Sequence, residues 1–429
     1  MTIGLMLAGM LGLILFNVPI AIALGLVAVL AIILVQGADM LPNAALVMYE
    51  GASSFPLLAI PLFVLAGAIM NASSISRRLI AFASALLGFI RGGLSMVAIG
   101  ASVFFAEISG SAVADIAALG SILIPAMRSR GYSKEFAAAV CSSAASLAII
   151  IPPSIPMVLY AVIAGTSVVK LFVAGIVPGL LGALGLALTA YGLAVRYGFP
   201  VEERFRLGRL WQAFREAIWA FLLPVIILGS MFGGFVTATE GAGVAVLAAL
   251  FVSTVVYREL RLEDLRKACL DAGLQTAVVM LLVAASALIG TFLTEAQLPQ
   301  KLAQSIAGVT TNKYLVLLLL NIAFLILGMF LHSAAAIILV VPIVMPMVTA
   351  VGIDPIHFGL VVTFNLAIGQ QTPPVASVLI AACSIARADI WETTKVNLPF
   401  IAVLVFVLLL CTYVPWLSLS LVDLFYGAR

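Results

Sequence analysis

The stretch "FFAEISGSAVADIAALGSILIPAM" (residues 104–127) sets SGSAVAD, residues 109–115, in the middle of an apolar run. The run is flanked by basic residues on both sides, Arg91 before it and Arg128 after it. Lys and Arg collect on the cytoplasmic side of membranes, so both ends of segment 93–129 belong on that side. The segment must therefore turn back at the polar heptapeptide, which predicts a re-entrant hairpin of two half-helices. Non-helical backbone at membrane depth is tolerated only against protein or water, because lipid satisfies neither N–H nor C=O groups. The tip is thus expected to face a site, and Ser109, Gly110 and Ser111 supply the tight turn and its hydroxyls.

The rest of the chain supports a membrane setting. Of 429 residues, 64% are hydrophobic and 9% charged, against about 25% charged in ordinary soluble domains. Mean hydropathy is +1.27. The alternating strands of a membrane β-barrel are absent. Residues 1–35 hold no Lys or Arg and no small-residue cleavage site, which predicts a mature membrane segment and not a signal peptide. Cys141, Cys269, Cys383 and Cys411 lie far apart and are expected to be buried free thiols. Basic clusters at Arg77, Arg78 and Arg91, at Arg128, Arg130 and Lys134, at 196–215, at 258–267 and at Arg387 and Lys395 mark the cytoplasmic face. Segments 36–55 and 351–358 carry no Lys or Arg and fall outside. No cluster has a soluble domain around it, so nucleic-acid binding is not expected.

Punctuation residues disclose an internal repeat. Pro125, Gly131, Pro152, Pro153 and Pro178 return as Pro346, Gly352, Pro373, Pro374 and Pro399, at a constant offset of 221 (346 minus 125). Apolar spans 2–16, 18–35 and 56–70 correspond to 216–235, 237–257 and 272–294. Each half holds five crossings, and an odd number inverts the second half, as in secondary transporters. The predicted fold is an all-α polytopic membrane protein with two inverted-topology repeats, about ten spans and two re-entrant hairpins. The first repeat covers 1–195, with hairpin 93–129 and broken helix 133–166. A cytoplasmic linker covers 196–215, where Glu202 and Glu203 among arginines read as a solvated salt-bridge face. The second repeat covers 216–429, with hairpin 314–350 and broken helix 357–382.

The two tips are expected to meet near the midplane, each offering a helix N-terminus to an anion. In "SLAIIIPPSIPMVLY" (146–160) and "AIGQQTPPVASVLI" (367–380) the prolines stop a helix and free its last carbonyls, which suit a small hard cation such as sodium. Gln370, Gln371 and Thr372 fit a midplane site better than a lipid-facing surface. Asp115 and Glu107 should face the interior, since a carboxylate facing lipid costs about 2.5–3.5 kcal/mol; each either binds an ion or ties the hairpin down. Glu240 in "TATEGAG" reads as a helix-end residue, His332 as a substrate contact or proton site, and His357 as a loop residue. There is no H-E-x-x-H, no G-x-S-x-G and no Walker A motif, so an enzyme or an ATPase is not expected.

"SGSAVADIAALGSILIPAM", "GYSKEFAAAV", "IIPPSIPMVLYA", "LFVAGIVPGLL", "GIDPIHFG" and "QQTPPVASVL" together resemble the large membrane subunit of tripartite ATP-independent periplasmic (TRAP) transporters, over nearly the whole chain. The resemblance implies a bacterial or archaeal cytoplasmic-membrane permease and no cofactor beyond sodium as coupling ion. It implies a separate small four-helix membrane subunit and a periplasmic substrate-binding protein as partners, with a C4-dicarboxylate or related organic acid as solute. It also implies an elevator mechanism with scaffold and transport domains. Carried over by motif, one sodium site would involve Ser109, Gly110 and Ser111 with Ile150 and Pro152, and a second Ser333 with Gly369, Gln370 and Thr372. Substrate-binding candidates are Ser109, Asp115, His332, Asn365 and Gln371. Members often carry an acidic residue where this chain has His332. The alternative is a stand-alone divalent-anion:sodium symporter that needs no binding protein.

Overall fold

The computed structural model describes residues 6, 9–10, 12–13, 16, 18–202, 204–297 and 312–427. Most of the span expected over 2–16, and Glu203, lie outside the described residues. Among those described there is no β-strand, only an isolated bridge between Arg91 and Val201. Nine helices among them are long and apolar enough to cross a bilayer. The chain is an all-helical polytopic membrane protein.

Five helices form a frame. They are α1 (Ile20–Val35), α2 (Leu41–Ala52), α3 (Ala59–Ala72) and, from the second half, α11 (Ala238–Phe251) and α12 (Leu262–Glu295). Helix α12 packs along α1, α2 and α3, while α11 packs on α3. At 1.5 Å per residue, the 34 residues of α12 reach about 51 Å, well beyond a hydrocarbon core of about 30 Å. Its counterpart in the first half is interrupted. There α3 stops at Ser73, whose hydroxyl donates to the Met70 carbonyl, and the amphipathic α4 (Ile75–Leu87) follows. Thr237 and Glu240 form a reciprocal capping box at the start of α11, the helix-end role expected for Glu240.

A second body holds the two hairpins. The first consists of α5 (Gly93–Ser109) and α6 (Ala112–Ser129), joined at Gly110 and Ser111. The second consists of α13 (Lys313–Phe330) and α14 (Ser333–Ala350), joined at Leu331 and His332. Their arms are 17 or 18 residues long, about 25–27 Å, and so exceed the half-helices expected. After each hairpin comes a broken helix. The first runs through α7 (Lys134–Ala145), an irregular stretch with a cis Pro152–Pro153 bond, and α8 (Ile155–Ile163). The second runs through α15 (Pro355–Gly369), a stretch with a cis Pro373–Pro374 bond, and α16 (Ser377–Ala386).

The remaining long helices are α9 (Val168–Tyr197), α10 (Leu207–Phe232), α17 (Ile390–Tyr413) and the shorter α18 (Trp416–Tyr426). Helix α9 packs on α17 and α18, and α10 packs on α4. The proline register has structural counterparts. Pro125 and Pro346 lie inside α6 and α14, and Pro178 and Pro399 inside α9 and α17. Gly131 and Gly352 both take positive φ, and Ser133 and Asp354, again 221 apart (354 minus 133), both cap the broken helices.

Three local expectations change. Glu202 does not sit on a solvated face: its side chain is 6% exposed, ion-paired to Arg130 at 3.4 Å, with Oε1 buried and unpartnered among the described residues. The linker is clamped, because Gly92 N–H donates to Pro200, Glu202 N–H donates to Gly88, and Tyr132 stacks on Phe199. His357 is no loop residue. It is 2% exposed in the first turn of α15, with Nδ1 2.7 Å from Ser418 Oγ and Nε2 3.2 Å from the Thr412 carbonyl. Cys269 is exposed, whereas the other three thiols are buried, and all four are free.

Candidate functional site

The first tip is built by Gly110, whose φ of +60° reverses the chain between α5 and α6. A side chain there would meet the Pro153 carbonyl at 2.7 Å, so glycine is required by conformation and by contact. The Gly110 carbonyl accepts from Ile155 N–H at 3.3 Å, which docks the tip on the break between α7 and α8. Ser111 caps α6 by accepting from Ala114 N–H. Behind the tip, the Ser109 hydroxyl donates to the fully buried Asp115 carboxylate and accepts from Ser111 N–H at 3.2 Å. Asp115 thus ties the turn together, and its second oxygen has no partner among the described residues.

The second tip is built in a parallel way. His332 caps α14, with Nδ1 accepting from Ala334 N–H. Ser333 Oγ accepts from Gln370 Nε2 at 2.8 Å, and Gln370 Oε1 accepts from Ser377 at 3.2 Å. The Met329 carbonyl accepts from Val375 N–H at 3.1 Å, so this tip also docks on its break.

Both tips open on one cavity of about 540 Å³. Gly110, Ser111, His332, Ser333 and Gln370 line it, with Ile149, Ile155 and Pro156 from the first break. Across from them stand Val64 of α3 and Leu274, Gln275, Val278 and Val279 of α12. Ala114, Ala117 and Gln275 also line a vestibule of about 570 Å³, so the two spaces adjoin. The vestibule adds Asn71, Ser73, Ser76, Arg77, Ser121, Lys267 and Asp271, and leads towards the basic face. Beyond it, Arg78 pairs with Glu259 at 2.9 Å and covers the Tyr257 ring; hydrogen bonds from Ser74, and then the Arg78 ion pair, hold the Glu259 carboxyl below its usual range.

The other sequence candidates lie elsewhere. The Ile150 carbonyl faces Gly175 of α9, 2.4 Å from where a Cβ would stand. Gly369 packs on Gly328, where a Cβ would meet backbone at 2.5 Å. Thr372 donates to the Ile368 carbonyl at 3.0 Å. Gln371 is fully buried between the two broken helices: Oε1 accepts from Ser143 at 2.7 Å and Nε2 donates to Ser146 at 2.6 Å. Asn365 donates to Asn321 at 2.6 Å and to the Val361 carbonyl at 2.8 Å, and Asn321 reaches Thr412 at 3.2 Å. The sequence reading missed the α12 wall. Its signal was Asp264, Lys267, Asp271 and Gln275, a polar stripe at helical spacing along the first half of the helix. Among the described residues no group of three His, Cys, Asp or Glu side chains is placed to hold a metal ion.

Comparisons with known proteins place this architecture. The chain is 43% identical, over 93% of its length, to the isethionate TRAP transporter permease protein DctMQ of Oleidesulfovibrio alaskensis, and spans 63% of that protein. It is 40% identical to the C4-dicarboxylate TRAP transporter large permease protein DctM of Pseudomonas aeruginosa, covering 93% of each chain. It is 37% identical to the sialic acid TRAP transporter large permease protein SiaM of Vibrio cholerae, covering 98% of each. The crystal structure of the Alcanivorax borkumensis YdaH transporter shares the fold, with a TM-score of 0.63 over 90% of each chain at 17% identity. The model of the tripartite ATP-independent periplasmic transporter DctM component matches residues 7–417, and the chain belongs to that family.

Proposed function

We propose that this protein, a multi-pass permease of the cytoplasmic membrane, imports a small organic acid by sodium symport. In this reading a periplasmic binding protein delivers the solute and a small four-helix membrane subunit completes the permease. The observation that carries the reading is the convergence of both hairpin tips and both broken helices on one cavity beside a vestibule. The cavity is where an anion meets two helix N-termini. Relatives named for C4-dicarboxylate, sialic acid and isethionate support an acid as solute.

Sodium coupling has a physical rationale. A cation entering down an inside-negative potential gains about 2.3 kcal/mol per charge per 100 mV, so importing an anion electrogenically takes more than one. Two docked tips, each beside a proline-broken helix with carbonyls outside the helical ladder, offer two such sites. The first would involve Ser109, Gly110, Ser111 and Pro152, and the second Ser333, Gly369, Gln370 and Thr372. Division into a hairpin body and a frame built on α12 suits an elevator, in which the body carries the cavity past the frame.

The test is uptake into proteoliposomes holding this chain and its small partner, under an inward sodium gradient with the interior negative. The labelled solute is the acid that co-purifies with the binding protein. Uptake that requires both sodium and the binding protein is expected. Sodium-driven uptake of free solute without the binding protein would replace this reading with a stand-alone symporter.

A further inference from the structure

The chemistry of the cavity wall restricts what it can hold. Among the described residues lining it, His332 is the one titratable side chain, and no Lys, Arg, Asp or Glu is present. Its polar groups gather at the tips. Ser111 Oγ accepts from Ala114 N–H, and Ser333 Oγ accepts from Gln370, so each hydroxyl keeps its proton free to donate. His332 Nδ1 accepts from Ala334 N–H, which puts the proton of the neutral ring on Nε2. These donors, with the first amides of α6 and α14, form one neutral, donor-rich pole suited to a single anionic head.

The facing wall is different. Val64, Leu274, Val278 and Val279 are apolar, and Gln275 stands where the cavity meets the vestibule. A second carboxylate against this wall would find no charged partner and no hydrogen-bond donor besides Gln275. Arg77 and Lys267 line the vestibule and not the cavity.

Resting on the permease reading above, we infer that the solute is an acid with one anionic head, carboxylate or sulfonate, on a short apolar body, and not a dicarboxylate. Ser111, His332 and Ser333 select the head, and Leu274 and Val278 select the body.

The experiment follows thermal unfolding of the full-length chain in nanodiscs at fixed sodium, titrated with pentanoate, butane-1-sulfonate or succinate. At least one monoanion is expected to raise the unfolding midpoint with a half-effect concentration at least tenfold below that of succinate. The better of the two identifies the head as carboxylate or sulfonate. Val278→Lys, at an exposed position on the wall, supplies the missing cation and is expected to shift the ratio at least tenfold towards succinate. Leu274→Lys serves the same purpose if the first variant does not fold. Succinate acting at or below the concentration of both monoanions would overturn the single-head inference and leave the permease reading standing. An unchanged ratio in a folded lysine variant would overturn the role given to the wall. Stabilisation by none of the three acids, with or without sodium, would overturn both the inference and the acid-permease reading.

Discussion

Gly110 carries two constraints at once, a positive φ and a Pro153 carbonyl where its side chain would stand. Left-handed backbone costs an L-residue about 1–2 kcal/mol, and the contact adds to it, so Gly110→Ala should displace the tip. The expected outcome is loss of uptake with helical content by circular dichroism unchanged. Glu202 offers a second test at this scale. Burial raises its carboxyl pKa, with Arg130 pulling the other way. A raised carboxyl means the folded state holds the proton more tightly. The associated stability is therefore complete below the unfolded value and is lost as pH rises through the folded one. Arg130→Ala removes the compensating charge. Because Arg130 is 58% exposed, the loss is about 0.5–1 kcal/mol, visible in the unfolding midpoint at pH 8 and nearly absent at pH 4. The residue types at the tips were legible: serines, a glycine and a histidine amid apolar sequence had to face protein or water. Which way each side chain points was not. Gln370 and Gln371 are neighbours, yet one lines the cavity and the other pins two helices together.

At the scale of elements, the broken helices are held by the Gln371 pin. Ser143 and Ser146 lie on the first broken helix and Gln371 on the second, so the pin joins the two halves of the chain in a fully buried setting. Removing one partner leaves a buried amide unsatisfied, at about 1–3 kcal/mol. Ser146→Ala should therefore lower the unfolding midpoint measurably, while Ser129→Ala, at an exposed hydroxyl bonded only within its own helix, should not. An equal midpoint for both would remove the pin from the account. The helix breaks were legible in the doubled prolines, each pair removing two adjacent donors, whereas the single Pro125, Pro178, Pro346 and Pro399 lie inside helices. The length of the hairpin arms was not, since apolar residues continue a helix without marking how deep it enters. The α12 stripe was also readable in principle, as four polar residues at helical spacing, but its importance appears only once the opposite wall is known.

At the scale of the molecule, the proline register of 221 residues has counterparts in helix caps, interior prolines and left-handed glycines. On the elevator proposal, the cavity would exchange its vestibule for an equivalent one on the other side. A candidate for that space is the separate cavity of about 430 Å³ between α12 and the hairpin body, lined by Leu159, Val162, Ser286, Thr294, Ile338 and Pro342. It lies towards the Glu295 end of α12, whereas the open vestibule lies towards Lys267. The cavity in this structure therefore adjoins the vestibule towards the basic, Lys267 end of α12. In a background with Cys141, Cys269, Cys383 and Cys411 replaced, Ser121→Cys, at an exposed vestibule position, should react with a membrane-impermeant maleimide from the cytoplasmic side. Ser286→Cys, at a buried position lining that space, should react from the periplasmic side only when loaded binding protein and sodium are present. Equal reactivity of Ser286→Cys with and without them would mean that the hairpin body does not move past the frame, and that the two vestibules do not alternate.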